Sequence, residues 1–262
     1  MKKYFQIFLL ELQVQFQYRL NLVMWLLLGG LSTTVVTLVW LSILGNRAEV
    51  GGFSGSDFVI YFVYMVLSWY LIGGSFARQL GGAIKQGEIN KTLVKPYNVM
   101  IEEIVKEQAW KVMSVVVTLP AVMVLLYVFR GYLVFSIGIT EIPVLLVAIM
   151  CGAVLFASIE AVVACVAFWV TEVWPFVDLY NILLNILGGV MAPIVLLPTV
   201  VGRIANVLPF KYIFYGPAMI MLGKISNGWQ VVAIQLLYIV LFQIILRIVW
   251  SAGLRRYEGN GG

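Results

Sequence analysis

Histidine is absent from the 262 residues, which removes the commonest general base and metal ligand. Cysteine occurs only as Cys151 and Cys165, both in one apolar stretch, so neither a disulfide framework nor a thiolate metal site is expected. Charge is scarce: 11% of residues are Asp, Glu, Lys or Arg, against about 25% in a soluble domain. No G-x-x-x-x-G-K-[ST] phosphate loop occurs, and the nearest stretch fails by ending Gly223-Lys224-Ile225. The chain therefore lacks the usual P-loop equipment for hydrolysing a nucleotide. What it has in abundance is apolar surface, with 62% hydrophobic residues and a mean hydropathy of +1.00. That excludes a water-soluble globule, a disordered chain and a disulfide-stapled secreted module. An all-α integral membrane protein is implied, because lipid leaves backbone groups no other open-ended way to pair. At ~20 residues per span there is room for about six spans and for no soluble domain of normal size.

The organisation reads from the interruptions. Residues 1–20 carry Lys2 and Lys3, but Glu11, Gln13, Gln15 and Gln17 break the apolar run, and no small-residue cleavage site follows. Phe5, Phe8, Leu9, Leu12, Phe16 and Leu20 share one side at helical spacing, which predicts an interfacial amphipathic helix. Spans are expected at 21–44, 58–77, 112–129, 142–170, 173–197 and 229–250. Between the second and third lies the longest polar stretch, 78–111. Region 198–228 is apolar but punctuated by Pro198, Pro209, Pro217 and glycines, which predicts short helices re-entering one membrane face.

Orientation follows from lysine and arginine. Six spans put on one side Lys2, Lys3, Arg19, Arg78, Lys85, Lys91, Lys95, Lys106, Lys111, Arg247, Arg255 and Arg256. Only Arg47, Arg130, Arg203, Lys211 and Lys224 fall on the other. Both termini and the 78–111 stretch are thus expected in the cytoplasm, and 198–228 outside it. The net charge of +5 reflects this orientation rather than an affinity for nucleic acid.

The stretch from Ala83 to Pro96 has a glycine where a helix would turn, mixed charges, and a proline that stops what precedes it. It reads either as a solvated loop or as a short surface helix that docks into a cytoplasmic partner. Rigid attachment, which force transfer requires, would come from the amphipathic run Val99 to Trp110, bearing Glu102, Glu103, Lys106 and Glu107. The pattern Ile84-x-x-Gly87-x-Ile89-Asn90-x-x-Leu93-x-Lys95-Pro96 resembles the membrane subunits of ABC-2 type transporters, particularly the short six-span bacterial permeases. Leu208-Pro209-Phe210, then Pro217 and Gly223 before the last span, resembles the extracellular re-entrant region of that family.

The resemblance implies a permease without its own motor. Such subunits work as dimers, of one chain or of sister chains, in the bacterial cytoplasmic (inner) membrane. Two cytoplasmic ATPase subunits bind ATP and Mg, and the permease itself holds no cofactor or metal and has no catalytic residue. By the same resemblance Ile84, Gly87, Glu88, Ile89, Lys91, Leu93 and Pro96 belong to an ATPase-coupling segment, with Glu172 near a second contact.

Ionisable residues within spans are expensive and count as functional candidates. Glu160 falls near mid-membrane, beside a small-residue face of Ala153, Ala157, Ala161 and Cys165. It reads as a pathway carboxylate for a cation, as a proton site, or as a hydrogen-bonded packing residue. Asp178, Asn181 and Asn185 share a helical face and could line a pathway or join two helices. Gly188-Gly189 and Pro193 would loosen the outer half of that span. Trp69, Tyr70, Trp174 and Trp229 read as interface anchors. The alternatives to an ATP-driven exporter are a self-sufficient carrier or channel using ion gradients, and a membrane-embedded enzyme. No repeat relates residues 1–130 to 131–262, which weakens the first, and the missing histidine and acidic cluster weaken the second. Substrate and direction are not written in the residues.

Overall fold

Serine 54 starts the first deeply buried helix of the chain. Its hydroxyl accepts the Asp57 N–H at 3.2 Å, and the Asp57 carboxylate accepts the Ser54 N–H at 2.8 Å, closing a reciprocal cap. The computed structural model describes residues 2–90 and 99–257, and among them every regular element is helical. In chain order these are α1 (Lys2–Gln17), α2 (Arg19–Leu44), α3 (Gly55–Ile72), α4 (Phe76–Lys85) and α5 (Val99–Val128). There follow α6 (Ile142–Cys165), α7 (Trp174–Leu187), α8 (Thr199–Val207), α9 (Phe210–Ile213), α10 (Tyr215–Met221) and α11 (Gly228–Arg256). Pro143 and Pro175 sit in the first turns of α6 and α7, where a missing N–H costs no intrahelical bond.

Helix α3 is the axis of the bundle. Every residue from Phe58 to Val66 is buried, with α2, α5 and α6 packed around it. A helix apolar on all sides has no water-facing stripe, so it must be enclosed by protein or lipid. The longest pairing joins α6 to α11. Fully buried Gln235 pins this pair to the short helices before α11, its amide donating to Ala148 O at 2.9 Å and to Tyr212 O at 2.8 Å. Gly152 lets α9 approach, since a Cβ there would stand 2.8 Å from Ile213 O.

Side-chain bonds define the two ends of the bundle. At one end Lys224 reaches Gly52 O at 2.7 Å and Asp57 at 3.0 Å, and Ser56 Oγ accepts the Val134 N–H at 3.0 Å. At the other, Lys85 pairs with Glu172, Arg78 with Asp178 at 3.4 Å, and Phe168 meets Trp250 and Tyr257 edge-on. Helix α2 starts and α11 finishes at this second end.

Several boundaries differ from expectation, each for a physical reason. Five helical stretches are long and apolar enough to cross a membrane among the described residues: Leu27–Leu44, Gly55–Lys85, Met100–Val128, Ile139–Phe168 and Gly228–Arg256. The sixth expected span, 173–197, is not one helix: α7 stops after 14 residues, ~21 Å of rise against ~30 Å of hydrocarbon. The chain turns at Gly188-Gly189, where Gly189 has φ +80°. The expected span 58–77 is interrupted at Gly73-Gly74, and the 112–129 span continues the amphipathic 99–110 run as one 30-residue helix. Helix α1 forms as expected but lies along α5. It half-buries Tyr4, Ile7, Phe8, Glu11, Leu12 and Gln15, leaving Phe5, Leu9 and Phe16 outward. Cys151 and Cys165 are free thiols.

Candidate functional site

The segment expected from the resemblance to couple to an ATPase begins on α4. Leu80, Ile84 and, beyond the helix, Ile89 are buried among Ala161, Ala164, Val173 and Val177, which fixes α4 to α6 and to the start of α7. Gly87 ends the helix with φ +73°, a conformation that costs glycine nothing. The Glu88 N–H donates to Ala83 O at 2.9 Å and the Gly87 N–H to Ile84 O at 3.3 Å, the paired bonds of a Schellman close. The turn leaves Lys85, Gln86 and Glu88 exposed at the second end of the bundle. Glu172 is also exposed there and pairs with Lys85, so two segments 87 positions apart in sequence form one surface. The expected segment splits by role: Ile84 and Ile89 face inward, because an apolar side chain beside α6 gains more from burial than from water. Lys91, Leu93 and Pro96 lie outside the described residues.

Above this surface the chain is broken at membrane depth. Helix α3 ends at Ile72 and α4 begins at Phe76, so the break exposes helix-end carbonyls and N–H groups where no water competes for them. Two neighbouring helices supply the partners. Lys111 of α5 donates to Ile72 O at 3.0 Å, setting a cation at the negative end of α3. Glu160 of α6 accepts the Ala77 N–H at 3.3 Å, setting a carboxyl at the positive end of α4. Lys111 also pairs with Glu107, one turn earlier on α5, at 3.0 Å. All three side chains are buried. Gly74 is required by proximity: a Cβ there would run into the Glu107 carboxylate.

Glu160, read from sequence as a pathway carboxylate, a proton site or a hydrogen-bonded packing residue, is buried and hydrogen-bonded to the Ala77 N–H. From sequence Glu107 belongs to the amphipathic 99–110 run and Lys111 to the cytoplasmic-side cations, and neither is read as a site residue. The only available signal was an i,i+4 pair continuing into an apolar run, which is weak by itself.

Asp178, considered with Asn181 and Asn185 as a pathway face, lies near the second end of the bundle. Its side chain is exposed and reaches Arg78, whose guanidinium also lies 5.2 Å from the Trp174 ring. Asn185 donates to Asn181 O at 2.7 Å within α7. Asn185 lines a cavity of about 420 Å³ with Thr33, Phe62, Trp69 and Tyr70, between α2, α3 and the end of α7. Asn181 is half-buried and is not part of that lining. A larger cavity, about 620 Å³, lies between α5, α6 and α11 and is lined by Glu107 and Lys111 together with Ala153, Ala157 and Ala161. The small-residue face does both: Ala161 packs against α4 and Cys165 is buried, while Ala153 and Ala157 leave space.

Long apolar helices, a central helix buried on all sides and a charge-stabilised break inside the bundle define a multi-pass membrane protein. The family model described as ABC-2 family transporter protein matches residues 31–261, and the chain belongs to that family. Its coarse function is that of the membrane permease of an ABC transporter, a family that generally works with ATP-binding subunits. Comparison with curated proteins and with solved structures gives no significant match.

Proposed function

We propose that this chain is the permease of an ATP-driven exporter, acting as a dimer with a second copy or a sister permease in a bacterial cytoplasmic membrane. Hydrolysis of ATP with Mg occurs on two separate cytoplasmic subunits, and the permease contributes no catalytic group or cofactor. The observation that carries this reading is the exposed turn Lys85–Glu88, tied to Glu172 and mounted on a helix whose other face is fixed in the bundle. A partner that moves this turn moves α4 as a lever. The lever's far end is held to α6 by Glu160 and adjoins the flexible Gly73-Gly74 link. The excess of lysine and arginine at the same end supports a cytoplasmic location for the turn and for both chain ends. By the same orientation, α8, α9 and α10 form the extracytoplasmic re-entrant region.

One observation favours a second reading, an ion-gradient carrier: buried Glu107, Lys111 and Glu160 resemble the charge clusters of proton-coupled carriers. Affinity purification of the tagged chain in mild detergent, with mass spectrometry and an ATPase assay, separates the two. The exporter reading expects a stoichiometric P-loop ATPase with vanadate-sensitive hydrolysis. A chain recovered alone from membranes whose other complexes survive would replace it with the carrier reading.

A further inference from the structure

The cavity between α5, α6 and α11 has mostly apolar walls and one buried carboxylate with an open oxygen. Met150, Val154 and Ile104 on its rim are 69%, 49% and 41% exposed, so it opens sideways from the bundle, where the bilayer would lie. Its inner surface carries Glu107, which is 3% exposed. One Glu107 oxygen stands 3.0 Å from the Lys111 ammonium; the other, Oε2, is buried with no hydrogen-bond partner. An unpaired buried carboxylate oxygen is costly in a medium without water, and its retention calls for a ligand-side explanation.

The charge type of that ligand follows from its neighbours. Lys111 is already committed to Ile72 O and to Glu107 Oε1, so it is poorly placed to receive an anion. Glu160 is turned to the Ala77 N–H, and Gln243 to the Ser158 hydroxyl at 2.9 Å. The side chains on and behind this wall, Glu107, Lys111 and Glu160, include two acids and one base. The group left open is an acceptor, Glu107 Oε2, which suits a cationic, hydrogen-bond-donating or polarising ligand head. Ala153, Ala157 and Ala161 leave room beside it for an apolar body.

We infer that this cavity binds an amphipathic monocation, an apolar molecule carrying one positive charge, which arrives from the bilayer and sets that charge against Glu107. This deepens the exporter reading by naming a substrate class, and as a substrate site it rests on that reading. Binding would also alter the charge balance at the α3–α4 break, next to the lever that carries the coupling turn.

The test uses the purified chain, with whatever subunits accompany it, in phosphatidylcholine nanodiscs without nucleotide. Radiolabelled tetraphenylphosphonium and tetraphenylborate, alike in shape and opposite in charge, are measured above the background of empty discs. Saturable phosphonium binding is expected, with the borate weaker by about tenfold or more. Glu107→Gln should weaken phosphonium binding by a similar factor. Ala157→Leu, which fills the cavity without touching a charge, should do the same in a chain that elutes as a single species. Phosphonium binding unchanged in both variants, or borate bound as tightly, would overturn the site. The exporter reading is judged separately by recovery of the ATPase: charge-selective binding without an ATPase keeps the site and removes the exporter, and the reverse result does the opposite.

Discussion

Two helices of this bundle are interrupted inside the apolar region, and they are repaired in different ways. At Gly73-Gly74 the loose ends of α3 and α4 meet charged side chains, Lys111 and Glu160, brought from two other helices. At Gly188-Gly189 the end of α7 is closed by neutral groups. The Gly188 N–H returns to Leu184 O at 2.9 Å, and the Tyr61 hydroxyl donates to Gly189 O at 2.5 Å. The neutral repair rests on one backbone bond and one hydroxyl from α3, with no charge to shift. A charged repair depends on a balance among three buried groups, and whatever shifts that balance acts on the joint between α3 and α4. The first break adjoins the exposed coupling turn through α4, whereas the second adjoins the α8–α10 region at the opposite end. Under the exporter reading, the first joint is the one expected to move and the second the one expected to stay fixed.

Removing a charge from the first break should have the largest effect. Lys111→Met leaves Glu107 buried without its cation and Ile72 O without a donor, at a cost of about 3–5 kcal/mol. Thermal unfolding in detergent should show this, and Lys111→Met combined with Glu107→Gln should recover part of the loss because no lone charge remains. A double variant no better than the single would mean that the pair is not coupled. At the second break, Gly189→Ala should cost about 1–3 kcal/mol, since the residue has φ +80° and a Cβ would lie 2.8 Å from the Tyr61 hydroxyl. Tyr61→Phe removes only the hydrogen bond, and a loss of about 1 kcal/mol is expected by the same assay. If transport fell more in these two variants than in the Lys111 variant at matched protein levels, the division between moving and static joints would be wrong.

The smallest stability effect belongs to the surface pair. Lys85→Ala separates two partly exposed groups, and less than about 1 kcal/mol is expected. The exporter reading nevertheless expects reduced ATPase recovery from Lys85→Ala and from Glu172→Ala, because the pair joins the two segments of the coupling surface. Equal recovery from wild type and both variants would remove that ion pair from the interface.

Much of the fold was legible in the residues, because apolar length and polar interruption report where lipid can be crossed. The first, third, fourth and last spans, the N-terminal helix and the broken region before α11 all follow from that pattern. The break in the second span does not. Gly29-Gly30 and Gly73-Gly74 look alike in apolar sequence, yet α2 runs unbroken through the first pair while α3 ends at the second. The distinction comes from Lys111, Glu107 and Glu160, which are distant in sequence and become neighbours only when α5 and α6 pack against α3 and α4. The α7 boundary was missed for the same reason, since Tyr61 of α3 supplies the bond to Gly189 O. In the candidate site, the resemblance points to Glu172 and to the Ile84–Leu93 segment separately, and the Lys85–Glu172 pair that joins them was not legible. The pairing of Asp178 with Arg78 was likewise not legible, because spacing along one helix says nothing of a partner 100 positions away.

The most direct measurement is photocrosslinking from the two ends of the bundle in intact cells. A benzophenone amino acid would replace Gln86 or Glu88 on the coupling turn, with Arg203, exposed on α8 at the opposite end, as the comparison. The account predicts that an ATP-binding cassette subunit is captured from positions 86 and 88 and not from 203. Capture from 203, or no ATPase captured from either position on the turn while the chain still transports, would contradict it.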